Sequence, residues 1–249
     1  MQARFLILLS ILLLAGLTES IALGVSSIIL PLRHPAQIAK AAASVDVLSG
    51  GRLIMGIASG DRPAEYPALN VPFDSRGRLF RESYSYIRKL AEDQPKFGNA
   101  FGSVNRDSFE IDIDKLPKPV AGQLPMLITG GSQQDDDRIA CNGDGWMIYP
   151  RNTLYHQRLI ADWRYKVPEF RQITLPVMQP LYFDLDPDPE ASPHPIHLGF
   201  RSGIGHLSAY LPKAREIRVY HVALNLRFNR ASIDATLEEI ANLVLSEFH

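Results

Sequence analysis

Short apolar segments alternate along this chain with segments of helical periodicity, and this alternation constrains the fold more than any other feature. Six strands are predicted, over residues 21–29, 53–58, 126–129, 146–149, 173–185 and 217–226. Each is followed by a predicted helix, over residues 35–48, 76–92, 132–141, 153–165, 203–216 and 232–247. Because most of these strands are near-continuous apolar runs, both faces of the sheet are expected to be covered. Strict β–α alternation therefore predicts a parallel α/β sheet with right-handed crossovers.

The number of strand–helix units leaves two architectures open. Six units would complete an open doubly wound sheet, whereas a closed (β/α)8 barrel would need two more strands. We expect one domain over residues 1–249, with excursions from its core at 93–124 and 183–200. The ends of the helix at 35–48 are marked by Pro35, which suits a first helical turn, and by Gly50 and Gly51, which readily take the left-handed conformation that ends helices.

The N-terminus permits two interpretations. Arg4 precedes a run at 5–14 that is apolar except for Ser10, and Ala15-Gly16 follows, which is the outline of a signal peptide. The run is too short for a membrane span, which needs about 20 apolar residues. The alternative is a leading apolar helix over 1–20 that belongs to the fold. A cytoplasmic protein is expected in that case, and an exported one if residues 1–16 are a leader.

Composition excludes several classes of function. Lys plus Arg is 26 and Asp plus Glu is 27, so the net charge of −1 gives no sign of nucleic-acid binding. The single cysteine, Cys141, excludes an internal disulfide and a cysteine-based zinc site, and no metal site is predicted. No G-x-S-x-G elbow or Walker motif occurs.

Candidate binding residues lie where the first two strands end, because ligands of parallel α/β folds bind beyond the carboxyl ends of strands. Ser26 and Ser27 interrupt the first strand, where small residues permit a bulge or the approach of a flat ligand. Ser59 and Gly60 end the second strand with little bulk. His34 follows the first strand and is a weak candidate for a general base. Backbone-bonded serines, a plain turn and an exposed structural histidine are the alternatives.

The third strand ends at Gly130, Gly131 and Ser132, which is the best local signal in the sequence. Glycines let the main chain approach a ligand, and the N–H groups of a first helical turn attract an anion. Ser132 is predicted to be both the helix N-cap and a phosphate ligand, although the aspartates at 135–137 would repel a phosphate and could serve only the helix dipole. Arg201 is a further weak candidate for a phosphate site; the alternative is an arginine in a surface loop.

These residues together resemble the bacterial luciferase-like flavin monooxygenase family. The resemblance is carried by LPLRHP at 30–35, by VDVLSGGR at 45–52, with Val45 for the usual Leu, and by GIASGDRPAEY at 56–66. The segments 125–151 and 219–245 look like later strands and the last helix of that family. The resemblance covers nearly the whole chain from about Leu17 and is closest to a subgroup of luciferase-type oxidoreductases.

The resemblance implies a TIM-type (β/α)8 barrel that binds FMN, or in some branches F420, at the carboxyl ends of its strands. Ser26 and Ser27 would lie at a bulge beside the flavin ring, where relatives often have a non-proline cis peptide. Ser59 and Gly60 would line the flavin site, and Gly131 and Ser132 would meet the phosphate.

By the same resemblance, relatives have a first strand, a first helix and a second strand before the segment that matches 5–17. The barrel is therefore expected to be N-terminally incomplete, with about six β/α units and a leading helix. The implied function is a monooxygenase that uses reduced flavin from a flavin reductase, and oxygen, on a small organic substrate. A homo-oligomer is expected, without membrane or nucleic-acid partners. The alternative is a non-catalytic flavin-binding or oligomer-forming remnant.

Overall fold

The computed structural model describes residues 7–91, 117–168, 171 and 175–245. The chain divides into two compact units, Met1–Asp135 and Asp136–His249. Within the described residues, six β/α units follow a leading helix, as the sequence predicts. No described helix has the length and apolarity that crossing a membrane requires.

The described residues of the first unit form three parallel strands and three α-helices. The strands are β1 (Leu23–Ile29), β2 (Leu53–Ala58) and β3 (Met126–Thr129), and the helices are α1 (Ile7–Leu17), α2 (Pro35–Leu48) and α3 (Arg76–Leu90). Strand β2 pairs with β1 on one side and with β3 on the other. Its alternate side chains Leu53, Met55 and Ile57 are fully buried. Each such side chain contributes roughly 1.5–3 kcal/mol of burial free energy, so β2 is the centre of this unit's core.

The helices of the first unit differ in their apolar surface. Helix α3 buries Phe80, Tyr84 and Ile87, a spacing that turns one apolar face of the helix toward the interior of the unit. Helix α1 is apolar on all sides and has no charged residue at either end. Helix α2 begins at Pro35 and ends at Leu48, with Ser49 as its C-cap and then Gly50 and Gly51 with positive φ, which confirms both predicted boundaries.

The second unit is arranged around one long strand. Its strands are β4 (Trp146–Met147), β5 (Val177–Leu185), β6 (His194–Ile196), β7 (Gly199–Ser202) and β8 (His221–Asn225). Its helices are α4 (Asp136–Asn142), α5 (Thr153–Lys166), α6 (Ile204–Glu216) and α7 (Ile233–Leu243). Strand β5 pairs in parallel with β4, β7 and β8. Met178 lies opposite both Met147 and His221, so β4 and β8 lie on opposite edges of β5.

The core of the second unit is built by alternate residues of β5. Leu181, Phe183 and Leu185 are buried against Leu207 of α6 and Ile240 of α7. Within the predicted excursion at 183–200, residues 183–185 complete β5, and β6 and the beginning of β7 form an antiparallel pair. The excursion itself stays a prediction. Most of the other predicted excursion, 93–124, lies outside the described residues. A single domain over 1–249 stays a prediction.

Candidate functional site

Strand β1 carries a bulge at Ser26 and Ser27. Val25 pairs with Met55 and Ile28 pairs with Ile57, so three steps along β1 match two steps along β2. The extra residue turns the Ser26 carbonyl towards β3, where the Thr129 hydroxyl donates to it at 3.2 Å. The predicted bulge is confirmed. The described residues contain no cis peptide bond, so the bulge is built from trans peptides.

Gly56 makes this bulge sterically feasible. A Cβ atom at Gly56 would lie 2.3 Å from the Ser26 carbonyl oxygen and 2.5 Å from that of Val25. Backbone oxygens cannot retreat from such a contact without displacing the strand, so only glycine fits. Gly56 was not among the residues predicted to form the site. A lone glycine inside an apolar strand is the signal that could have identified it.

The end of β2 is shaped by close contacts around Gly60. Ser59 is buried, and Gly60 has a φ of +82°, which side chains other than hydrogen rarely allow. A Cβ atom there would lie 2.8 Å from Ile29 and 2.9 Å from the Tyr66 hydroxyl. Tyr66 is fully buried and donates its O–H to the Ser59 carbonyl. Burial raises the pKa of the Tyr66 phenol, so the hydroxyl keeps its proton and remains a donor.

Arg76 is a cation at the first position of α3, next to this strand end. Its guanidinium lies 3.7 Å above the ring of Phe73, and Phe73 packs edge-to-face on Tyr66. One Nη donates to the Phe73 carbonyl at 3.1 Å, whereas the buried Nε has no hydrogen-bond partner in the part of the chain that the structure describes.

The first turn of α3 favours an anion. It contains no acidic residue, and Ser75 makes no side-chain cap. A cation at a helix N-terminus opposes the helix dipole, so a bound anion would relieve both the unmade hydrogen bond and the unfavourable charge. Sequence reasoning missed Arg76; an arginine that opens a helix with no acidic residue in the first turn is the signal.

The loop after β3 departs from the prediction. Helix α4 begins at Asp136, so Ser132 is not its N-cap, and the predicted helix start at 132 is wrong. Gly130, Ser132 and Gln133 have positive φ, a conformation that cannot continue into a right-handed helix. The Ser132 hydroxyl instead donates to the Thr129 carbonyl at 2.6 Å.

This loop packs on the beginning of α3. The amide of Gln134 donates to the Gly77 carbonyl at 3.1 Å and to the Ser132 carbonyl at 2.9 Å. The contacts between Ser26 and Thr129, and between Ile29 and Gly60, join the other strand ends. Ser26, Ser27, Ser59, Gly60 and the segment 130–132 therefore lie at one edge of the first unit, together with Arg76.

His34 is placed as a helix cap. Its Nδ1 accepts from the Ala36 N–H at 3.3 Å, and the side chain is exposed. Its ring also contacts the edge of Tyr86. The cap accounts for a histidine before Pro35 without any catalytic role. The assignment of His34 as a general base stays a prediction.

Arg201, in the second unit, is bonded to carboxylates. Its Nε donates to Asp186 at 2.7 Å, and an Nη lies 3.7 Å from the buried Asp184. The N–H of Asp188 and then the Arg201 guanidinium lower the pKa of Asp186. Asp184 also accepts from the Arg230 N–H at 3.0 Å. These contacts explain Arg201 as part of an ion-pair network, and its role towards a phosphate stays a prediction.

Comparison with known proteins identifies the family. The sequence model of luciferase-like monooxygenases matches residues 8–203, and the chain belongs to this family. An uncharacterized protein of Mycobacterium tuberculosis is 32% identical over 133 residues, which are 53% of this chain and 43% of that protein. The chain thus spans less than half the length of this curated relative.

Solved structures of the same fold cover nearly all of the chain. Monooxygenase RslO1 from Streptomyces bottropensis has a TM-score of 0.77 at 16% identity, covering 98% of this chain and 83% of its own. The coenzyme F420 dependent tetrahydromethanopterin reductase from Methanopyrus kandleri has a TM-score of 0.76 at 15% identity, covering 97% and 87%. The fold is thus of the luciferase-like TIM-barrel type, which confirms the predicted fold class and family.

Proposed function

We propose that this chain is a flavin-dependent oxidoreductase that uses reduced flavin and oxygen to oxidise a small organic substrate. The proposal rests on the arrangement of residues at one edge of the first unit, where the ends of β1, β2 and β3 meet. Small residues clear space there, and Arg76 supplies a cation with an unmade hydrogen bond. Membership of the luciferase-like monooxygenase family supports the same assignment.

The residues at this edge fit a phosphorylated flavin. Ser26 and Ser27 would lie beside the ring, because the bulge presents small side chains at the end of β1. Ser59 and Gly60 would line the neighbouring part of the ring, since Gly60 adds no side chain. The phosphate would bind near Gly131, Ser132 and Arg76, where the loop after β3 meets the start of α3. The unmade Nε–H of Arg76 is the donor that such a phosphate would satisfy.

When bound, the reduced flavin supplies the electrons that activate oxygen. The chain's own contribution is to orient the ring and to keep water away from it. Ser59 and Tyr66 are buried at the end of β2, so they would exclude water from that side of the ring. His34, at the start of α2, is the candidate proton acceptor.

The cofactor is proposed to be FMN, with F420 as the alternative. One arginine beside one loop suits a single terminal phosphate. A separate flavin reductase would supply reduced FMN.

Titration of the purified protein with FMN and with F420 tests the site, with the quenching of cofactor fluorescence as readout. We expect saturable binding of FMN. Oxygen uptake with NADH, an added flavin reductase and FMN, measured with and without a panel of small aldehydes, ketones and amines, then tests turnover. Absence of saturable binding of either cofactor would refute the proposal.

A non-catalytic, self-associating member of the family is the second candidate, and α1 favours it. Leu9, Leu13 and Leu17 recur every four residues and are 61%, 65% and 72% exposed. An apolar stripe of this kind is normally covered. Since α1 has no charged residue, a second copy of the chain could pack on it without charge repulsion. Flavin binding without any substrate-dependent increase in oxygen uptake over the reductase and FMN alone, together with a dimer in sedimentation that Leu13→Glu dissociates, would favour this candidate.

A further inference from the structure

Tyr66 bonds to the peptide group that ends β2. It lies seven residues beyond Ser59, is completely buried, and donates its hydroxyl to the Ser59 carbonyl. A phenol hydroxyl is costly to bury without a partner, and here its partner is a main-chain atom of the candidate flavin site. The bond therefore fixes the direction of one peptide group at the edge where the strand ends meet.

The direction of that peptide has a consequence for Gly60. In a trans peptide the carbonyl oxygen and the following N–H point in opposite directions. Because the Ser59 carbonyl points inward to Tyr66, the Gly60 N–H points away from it. That N–H has no hydrogen-bond partner in the described part of the chain. Gly60 also has no side chain to cover it.

We propose that Tyr66 is a positioning residue that aims the Gly60 N–H at an acceptor atom of the bound flavin ring. The inference rests on the proposed function, and it adds a donor and the residue that orients it. Tyr66 acts through the Ser59–Gly60 peptide without touching the ligand. Its ring separately supports Phe73, and through Phe73 the guanidinium of Arg76.

The substitution Tyr66→Phe separates these two roles. It removes the hydroxyl and keeps the ring that packs on Phe73. Tyr84→Phe is the matched control, because Tyr84 is also buried in the first unit and its hydroxyl accepts from Arg88 at 3.0 Å, within α3. We expect the FMN dissociation constant of Tyr66→Phe to rise about 5- to 30-fold, and that of Tyr84→Phe to stay within about 2-fold of the wild type.

The amide signal of Gly60 in the NMR spectrum of the wild type decides the proposal independently of how the variant folds. We expect a downfield shift and slower exchange of this amide at saturating FMN, both of which Tyr66→Phe reduces. An unchanged Gly60 amide in FMN-saturated wild type would overturn the inference, as would equal FMN affinity of Tyr66→Phe and wild type. If the wild type does not bind FMN or F420 at all, the proposed function itself fails, which is a different result.

Discussion

Two half-buried arginines of the first unit show how a cation can serve either the fold or a ligand. Arg52 makes five hydrogen bonds, to the carbonyls of Ala15, Thr18, Ile21 and Ser49 and to the Thr18 hydroxyl. Arg76 donates one hydrogen bond to the Phe73 carbonyl and keeps a buried Nε without a partner in the described chain. Arg52 stands at the C-terminus of α1, where the helix dipole favours a cation, and Arg76 stands at the N-terminus of α3, where it does not.

The same distinction applies to the sequence motif at 45–52, whose polar residues serve the fold and not a ligand. Asp46, Ser49 and Arg52 carry the resemblance at 45–52. Asp46 is buried and accepts from the Val120 N–H at 2.9 Å, while the Ser49 hydroxyl donates to the Asp46 carbonyl at 3.0 Å. All three side chains bond to main-chain atoms, so this motif maintains the fold. The groups that remain available for a ligand lie at the ends of the strands.

Substitution of Arg52 is expected to have the largest effect on the stability of the fold. Arg52→Leu leaves several carbonyls near the end of α1 without their donor, and we expect a loss of about 3 kcal/mol in the free energy of unfolding. Urea denaturation measures it. Arg78→Leu is the control, since Arg78 pairs with Glu82 on the exposed surface of α3. A loss no larger than that of the control would show that the Arg52 bonds do not hold α1.

Gly56→Ala is expected to have the next largest effect on stability. The added methyl group meets the carbonyl oxygens of Ser26 and Val25, and relieving that contact should cost about 2 kcal/mol of stability and weaken FMN binding. Gly24→Ala is a matched control on the neighbouring strand, because nothing lies within 4 Å of a Cβ atom there. Thermal unfolding and FMN titration of both variants test this. Equal behaviour of the two would contradict the assignment of Gly56.

The types of residue along the chain predicted those element boundaries that depend on neighbouring residues. Boundaries that depend on contacts between distant segments could not be predicted in this way. The bounds of α2 and β2 follow from Pro35, from Gly50 and Gly51, and from an uninterrupted apolar run, all visible in the sequence. The start of α4 was missed because the left-handed residues after Gly130 depend on the docking of Gln134 on Gly77.

The residues of the candidate site were likewise predictable only in part. Ser26, Ser27, Ser59 and Gly60 could be selected because small residues end strands. Gly56 and Arg76 give weaker signals in the sequence, a lone glycine in an apolar strand and an arginine that opens a helix. Their roles depend on carbonyls and rings that the fold brings from other segments.

Arg76→Met tests the contrast between the two arginines. This substitution should weaken FMN binding, whereas Arg52→Leu should lower stability. We expect FMN affinity to fall about 10-fold, the loss of one charge-assisted hydrogen bond, while stability without FMN stays unchanged or rises by about 0.5 kcal/mol. Fluorescence titration and thermal unfolding measure the two effects, with Arg78→Met as control. A loss of stability with unchanged FMN affinity would make Arg76 a second scaffold arginine.

His156 in the second unit tests whether an unpartnered buried atom must mark a ligand site. Its Nδ1 accepts from the Arg151 N–H at 3.3 Å, and its buried Nε2 has no partner in the described residues. Burial, and then Arg151, lower the pKa of His156 below its ordinary value of 6.5. The folded state therefore holds this ring neutral at a pH where the unfolded chain already binds a proton. Its contribution to stability is present above pH 6.5 and is lost as the pH falls below that value.

The substitution His156→Asn keeps an acceptor at the Nδ1 position and removes the titration. We expect the wild type to lose about 1 kcal/mol more stability than His156→Asn between pH 7 and pH 5, measured by urea denaturation at each pH. His194→Asn, in the exposed strand β6, controls for the loss of a histidine. Parallel pH profiles for wild type and His156→Asn would mean that the ring is not held neutral by burial. A steeper wild-type profile would show that burial holds the ring neutral, which accounts for this buried histidine without a ligand, unlike Arg76, whose unmade bond a ligand is proposed to complete.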